Sequence, residues 1–461
     1  MTTSTPSTPP TEADPPLLRM PPGRAVWQVA WPMIALGLLK TTYFLTDSWF
    51  VGRLGDDALE ALGGAAFAWW MIFICADLAG TGAHALIARH EGAARRDLIP
   101  ATLVQGLWVG AATAVFLAAC WPSRALYFEL LGLQHGTATM QFGLDFLGVS
   151  LLTAGTLVVH TVTGAAFRAL GHTRTALAIT AATLVVNAGL DPALIWGVGP
   201  LPALGIAGAA WATAIANLVG AVLGLVVLAH RDVRLVPALP SLDRTWLITK
   251  IGTPVTLAGI GFSMVYVLLG RIITEHGEQH IAALGVGHRL ESLAYMVTVG
   301  MAVGAATMVG QHLGAGNVER AREAVAAANR ICATLMVPIG VLLFVGAPVF
   351  FDLFTDDPEI IASGTVYLRF QTAVFVAMGM EVIYEGAFSG AGDTMPPLVI
   401  GGSLTAARIP LAIWFGDGLD LGINGVWIAI AVTTGLKAVV SWFWWRRGRW
   451  ASALSNAEAA A

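Results

Sequence analysis

Apolar residues run along this chain in long blocks broken by short polar connectors. Twelve blocks reach the length of about 20 residues that a helix needs to cross the hydrocarbon of a bilayer. Their centres fall near Leu38, Phe73, Gly110, Thr153, Val185, Ala216, Gly261, Val299, Leu342, Val376, Ala407 and Val432. The pattern predicts an all-α polytopic membrane protein of twelve transmembrane helices, with no room for a separate soluble domain. It divides into a disordered Ser/Thr/Pro-rich tail at residues 1–22, an N-terminal six-helix lobe at 23–230, a linker at 231–250, a C-terminal six-helix lobe at 251–446 and a tail at 447–461. The first block, within Trp31–Gly55, carries an aspartate, Asp47, a few turns before its polar exit.

A repeat underlies the twelve blocks. A shift of 222 residues places Pro32 on Pro254, Gly55 on Gly277, Gly82-Ala83 on Gly304-Ala305 and His90 on His312, all without a gap. Further on, with a small length change, Phe167 meets Phe388, and Gly205-Ile-Ala-Gly208 meets Gly422-Ile-Asn-Gly425. Six spans per repeat is an even number, so the halves share one orientation and are related by a pseudo-twofold along the membrane normal. In transporters built this way, substrate and ion sites lie near the bilayer midplane.

Charge fixes the expected orientation. The two tails and the even-numbered loops hold 17 of the 25 Lys and Arg residues, whereas the odd-numbered loops hold only Arg53, Arg124 and Arg271, and the loop Asp352–Glu359 is purely acidic. Positive charge stays on the cytoplasmic side, so both termini are expected there. Composition agrees with a membrane protein: 56% of residues are hydrophobic and 12% charged, against about 25% charged in a typical soluble domain. Mean hydropathy is +0.72. The N-terminus lacks the basic start and cleavage site of a signal peptide. Cys75, Cys120 and Cys332 are far apart and lack metal spacing, so they read as small buried hydrophobes.

Against this background each intramembrane polar residue needs a reason. An aspartate at the centre of a membrane helix costs about 2.5–3.5 kcal/mol on insertion scales and usually faces a water-filled cavity. Two readings stand for Asp47: a lumen-facing functional acid, or an interfacial one that reaches headgroup water. Asn187 and Asp191 in the fifth span are four apart and share a helical face, and Pro192 frees a carbonyl one turn back. Carboxylate, amide carbonyl and freed backbone carbonyl are hard oxygen donors that suit a small cation or a shared proton. Helix-to-helix glue is the alternative. Thr213 in span six adds a hydroxyl. Asp77 and Asp145 are weaker candidates, and Lys40 either pairs with a lumen acid or snorkels to the interface.

The second half carries a different set. Leu269 stands at the repeat position of Asp47, and Arg408 at that of Asn187. Span ten holds Glu381 and Glu385, four apart on one face. With Arg289, Glu291, Arg369 and Arg408 they either neutralise one another or line a substrate path. No Walker, zinc or hydrolase motif occurs, which excludes nucleotide hydrolysis and leaves enzyme chemistry without a home.

Taken in order, Pro32, Asp47-Ser-Trp-Phe-Val-Gly-Arg-Leu-Gly55, Gly164-Ala-Ala-Phe-Arg-Ala-Leu-Gly-His-Thr-Arg174, Asn187-Ala-Gly-Leu-Asp191-Pro192, Gly205–Thr213 and Gly310–Asn317 resemble the multidrug and toxic compound extrusion (MATE) antiporters. The resemblance covers about Val26 to Trp445. It implies a V-shaped pair of six-helix lobes in a bacterial-type inner membrane, exchanging a cytoplasmic organic substrate for H⁺ or Na⁺. It also implies a monomer in the bilayer with no cofactor and no nucleic-acid partner. By position, Asp47, Asn187, Asp191 and Thr213 are similar to the cation site of the branch that uses its N-terminal lobe. Another branch has a glutamate in span seven; here that region reads Ile260-Gly-Phe-Ser-Met264. His172 also departs from the family pattern, standing where an acid is usual. Two other functions stay open: a flippase for a lipid-linked precursor, and a membrane-embedded enzyme built around His160.

Overall fold

The computed structural model describes residues 15–454 except 132, 134, 199–201 and 232, and the side chains of residues 43–45 and 47 lie outside the description. Helices account for nearly all of it. They are α1 (Pro22–Gly52), α2 (Asp56–Gly92), α3 (Ile99–Ala119), α4 (Arg124–Leu130), α5 (Ala138–Leu152), α6 (Ala154–Ala169), α7 (Thr173–Ile195) and α8 (Ile206–His230) in the first half. The second half has α9 (Leu242–Glu275), α10 (Glu278–Gly314), α11 (Val318–Asp352), α12 (Pro358–Ala373), α13 (Phe375–Ala391), α14 (Met395–Ala406), α15 (Arg408–Ile413) and α16 (Ile423–Arg446).

Among the described residues, nine continuous stretches are long and apolar enough to cross a membrane, and two bent pairs raise the number to eleven. The 31-residue α1 covers the first predicted block and completes the twelve. The bent pairs are spans four and ten, which read as single segments in the sequence. α5 turns into α6 by 51° and α12 into α13 by 56°. No proline stands at either break. Instead Thr153 Oγ1 donates back to the Val149 carbonyl at 2.8 Å, and Thr372 Oγ1 to that of Arg369 at 3.1 Å. Hydroxyls that bond to the preceding turn compete with the backbone ladder and bend helices.

The repeat is structural as well as sequential. α2 and α10 are both 37 residues long and begin 222 residues apart, at Asp56 and Glu278. Gly205 (φ 58°, ψ −139°) and Gly422 (φ 55°, ψ −139°) hold the same backbone conformation at the starts of α8 and α16. That region is open essentially to glycine. It lets the chain turn back so that Gly205 N–H donates to the Ile195 carbonyl at 3.1 Å and Gly422 N–H to that of Gly416, also at 3.1 Å.

Two compact units emerge. One comprises Ala35–Thr256; the other takes the chain up to Ile34 together with Leu257 onward. The division therefore falls inside α1 and α9 rather than at a loop. Glycine makes this exchange of helix starts possible. Gly82 on α2 lies against the Ile248 carbonyl at the start of α9, and Gly304 on α10 lies against the Val26 carbonyl at the start of α1. A methyl group at either position would overlap backbone. Both the glycines and their partners are 222 residues apart. The unit built on Ala35–Thr256 is called the N-terminal unit below, and the other the C-terminal unit.

Candidate functional site

In the N-terminal unit α7 packs on α8, and the closeness of the two helices follows from Gly208. A side chain there would overlap the Leu194 carbonyl. With the helices this near, Asn187 Nδ2 on α7 lies 3.4 Å from Thr213 Oγ1 on α8 and 3.4 Å from Asp191 Oδ1 one turn along its own helix. Asn187 is 2% exposed and Asp191 fully buried. Among the described residues the buried Asn187 Oδ1 atom has no hydrogen-bond partner, and leaving a buried acceptor unmatched costs of order 1–3 kcal/mol. Carboxylate, amide and hydroxyl thus converge on one buried spot.

Asp47 sits on α1, and its side chain lies outside the described residues. Its helix is placed by a neighbour: Phe50, just C-terminal to it, meets Trp196 at the end of α7 edge-on, with ring centroids 5.7 Å apart. The end of α1 that carries Asp47 therefore runs beside the end of α7 that carries Asp191.

The weaker first-half candidates separate from this cluster. Asp77 accepts from Thr81 Oγ1 at 3.2 Å and lies 3.9 Å from an Arg168 nitrogen, so its partner is an arginine that the sequence reading counted with a cytoplasmic loop. Lys40 is exposed, with its ammonium 5.6 Å from the centre of the Phe73 ring. Asp145 is exposed and takes a hydrogen bond from Gln141 at 3.0 Å. His160 packs beneath Gly220, with Nδ1 buried.

The C-terminal unit shows what the repeat does without that site. Leu269, Ala412 and Ile430, the counterparts of Asp47, Asp191 and Thr213, all belong to one buried apolar cluster with Tyr367 and Trp427. Arg408, the counterpart of Asn187, is 2% exposed and donates to three hydroxyls: Thr433 at 3.0 Å, Tyr266 at 2.9 Å and Thr434 at 2.9 Å. Glu291 lies within electrostatic reach of it. The expectation that Arg289 and Arg369 neutralise the buried glutamates is not met. Both are exposed, and Arg369 instead leans on Phe344. The partner of Glu381 is Lys437, a residue the sequence reading passed over, with Nζ 2.6 Å from Oε1. A lysine inside span twelve was itself the available signal, because a charge at that depth needs a partner. Outside the spans, the repeat pairs His172 with Asp393. Burial pushes the imidazole of the first below and the carboxyl of the second above its ordinary range.

The family model MatE matches the chain twice, over residues 32–193 and 254–414, starting at Pro32 and at its repeat partner Pro254. The chain belongs to the MatE family. It is 25% identical over 427 residues to a probable multidrug resistance protein NorM of Thermotoga maritima, covering 92% of each chain. It is 26% identical over 442 residues to a FAD transporter of Shewanella oneidensis, covering 93% of this chain and 95% of that one. Among solved structures, MATE in the bent conformation superposes with a TM-score of 0.87 at 24% identity, over 96% of this chain and 98% of that chain. An outward-facing multidrug resistance MATE family transporter does so with 0.86 at 24%, over 95% and 97%. These likenesses establish the twelve-helix, two-lobe fold. As a MatE protein the chain is a membrane transporter and not an enzyme, which removes the reading built on His160.

Proposed function

We propose that this protein exports organic amphipathic compounds, many of them cationic, in exchange for H⁺ or Na⁺ that binds at Asp47, Asn187, Asp191 and Thr213. The observation that carries the reading is the contrast at equivalent repeat positions. Hard oxygen donors meet in the N-terminal unit, whereas their counterparts in the C-terminal unit are core hydrophobes and an arginine. The names of the relatives support the substrate class, and the FAD transporter widens it toward anionic compounds.

Two acids in a poorly solvated bundle repel each other until a cation sits between them. The site therefore holds its ion tightly in one state and releases it when access or substrate changes that balance. One charge falling through 100 mV releases about 2.3 kcal/mol, enough for roughly a 50-fold gradient of a neutral substrate. A monovalent cationic substrate exchanged one for one gains nothing from the voltage, and a second acid allows more than one ion per cycle. The coupling cation is substrate here, and no resident metal is invoked.

Both termini are assigned to the cytoplasm of a bacterial-type inner membrane, on the arginine distribution. A cysteine at Asp356 labelled from the cytoplasmic face alone would overturn that assignment. Function is tested by dye uptake into inverted vesicles under imposed pH and sodium gradients. Uptake driven by one of the two gradients is expected; uptake indifferent to both would sink the antiport reading.

A further inference from the structure

The C-terminal unit contains a buried ion pair to which the coupling reading gives no task. The side chains of Lys437 on α16 and Glu381 on α13 are 6% and 9% exposed, with the ammonium 2.6 Å from Oε1. Such a pair is a poor stabiliser: desolvating two ions takes back most of their attraction, and apolar residues of the same volume often do as well. Its presence in a membrane span points to what the charges do rather than to what they hold together. The groups within electrostatic reach of Glu381 are Glu385 one turn along α13, Tyr295 from α10 and Tyr266 from α9, and Tyr266 in turn meets Arg408 of α15. On the α11 side, α13 packs through Gly379 against Cys332, which carries no charge at that contact. Arg408 beside Tyr266 gives its bonds to hydroxyls rather than to Glu381.

We propose that Lys437 is a tethered counter-cation. Its ammonium permanently fills the place at Glu381 that a monovalent ion would otherwise take, and so keeps the C-terminal unit out of the ion cycle. This rests on the reading that coupling belongs to the N-terminal unit, and it assigns to Lys437 control of how many ions are exchanged per turnover. Arg408 repeats the theme, because a fixed cation replaces Asn187, a ligand of the coupling site. A transported ion must leave in every cycle. A lysine ammonium cannot, so an acid it neutralises contributes nothing to coupling.

The test uses the full-length protein in detergent, melted in sodium chloride or choline chloride at mildly alkaline and mildly acidic pH. Asp191→Asn is the background. Its own loss of ion-dependent melting reports on the coupling site, and the change on adding Lys437→Met reports on the present inference. In choline at alkaline pH, Lys437→Met is expected to lower the melting temperature by roughly 10 °C. Sodium or acid should restore most of that loss, since either ion can now reach Glu381. A further Glu381→Gln should restore it with no ion at all. Glu385 lies within electrostatic reach of both Glu381 and Lys437, so Glu385→Gln is built into every variant, the background included, to remove its contribution. The inference is overturned if neither ion restores the Lys437→Met protein, or if Glu381→Gln fails to do so. Should Lys437→Met not accumulate, the Lys437→Met, Glu381→Gln double variant still must. Its failure would show that the lysine serves packing, which also overturns the inference.

Discussion

The two units answer the same structural question in opposite ways. At four repeat-related positions the N-terminal unit has Asp47, Asn187, Asp191 and Thr213, and the C-terminal unit has Leu269, Arg408, Ala412 and Ile430. The backbone frame is shared: both α8 and α16 begin at a glycine in the same unusual conformation, and both helices come close to the preceding one through a second glycine, Gly208 or Gly425. In the first unit the gap between helices is lined by oxygen donors. In the second it is filled by an apolar cluster, with Arg408 bonded to hydroxyls and Glu381 paired with Lys437. On the proposed function, one scaffold supports a site for a mobile cation and a version whose cations are built in.

The sharpest way to break this comparison is at Asp47. Asp47→Asn is expected to reduce ion-driven export to the level of protein-free vesicles, because an amide cannot cycle a proton and is a poorer cation ligand. Substrate binding and expression should survive, as the change removes a costly charge from a membrane helix. Equilibrium binding of a fluorescent substrate beside the transport assay separates the two effects.

Gly208→Val and Gly425→Val form a matched pair. Each side chain would meet the backbone of the preceding helix, at Leu194 or at Phe415, and each should cost about 1–3 kcal/mol in melting experiments. Only the first should also weaken cation affinity, because only there does helix separation pull Thr213 from Asn187. Equal effects on ion binding would mean that the units do not differ as described.

Smaller in effect, Thr213→Ala removes one neutral ligand, and roughly a tenfold loss of cation affinity is expected, measured by ion-dependent melting. Smallest of all, Asp145→Asn should leave stability within about 0.5 kcal/mol and transport unchanged, since this acid is exposed and bonded to Gln141.

Much of this architecture was legible in the sequence, for physical reasons. A span must be continuously apolar, and a repeat must keep its glycines where helices touch, so the blocks and the 222-residue shift survive as pattern. The Asn187, Asp191 and Thr213 cluster was legible because oxygen donors in an apolar span stand out and a four-residue spacing fixes their face. Partnerships across the bundle were not. Glu381 had Arg369 and Arg408 as candidate partners near it in the pattern, yet it pairs with Lys437, more than fifty residues downstream, because α13 packs on α16. Arg168 looked like a topological charge at a helix end and instead lies near Asp77. The bends at Thr153 and Val374 escaped notice because a hydroxyl that bonds to its own helix leaves no mark on hydropathy.

The account stands or falls on where the ion is exchanged, and Asp191 is the described acid at its centre. The direct measurement is substrate accumulation in proteoliposomes under an imposed ion gradient, with Asp191→Asn and Glu381→Gln compared at equal reconstituted amounts. Asp191→Asn is expected to abolish accumulation against a gradient, and Glu381→Gln to leave it measurable. Accumulation by Asp191→Asn at the parental rate, or its loss in a folded Glu381→Gln protein alone, would place the coupling site in the other unit and contradict the account.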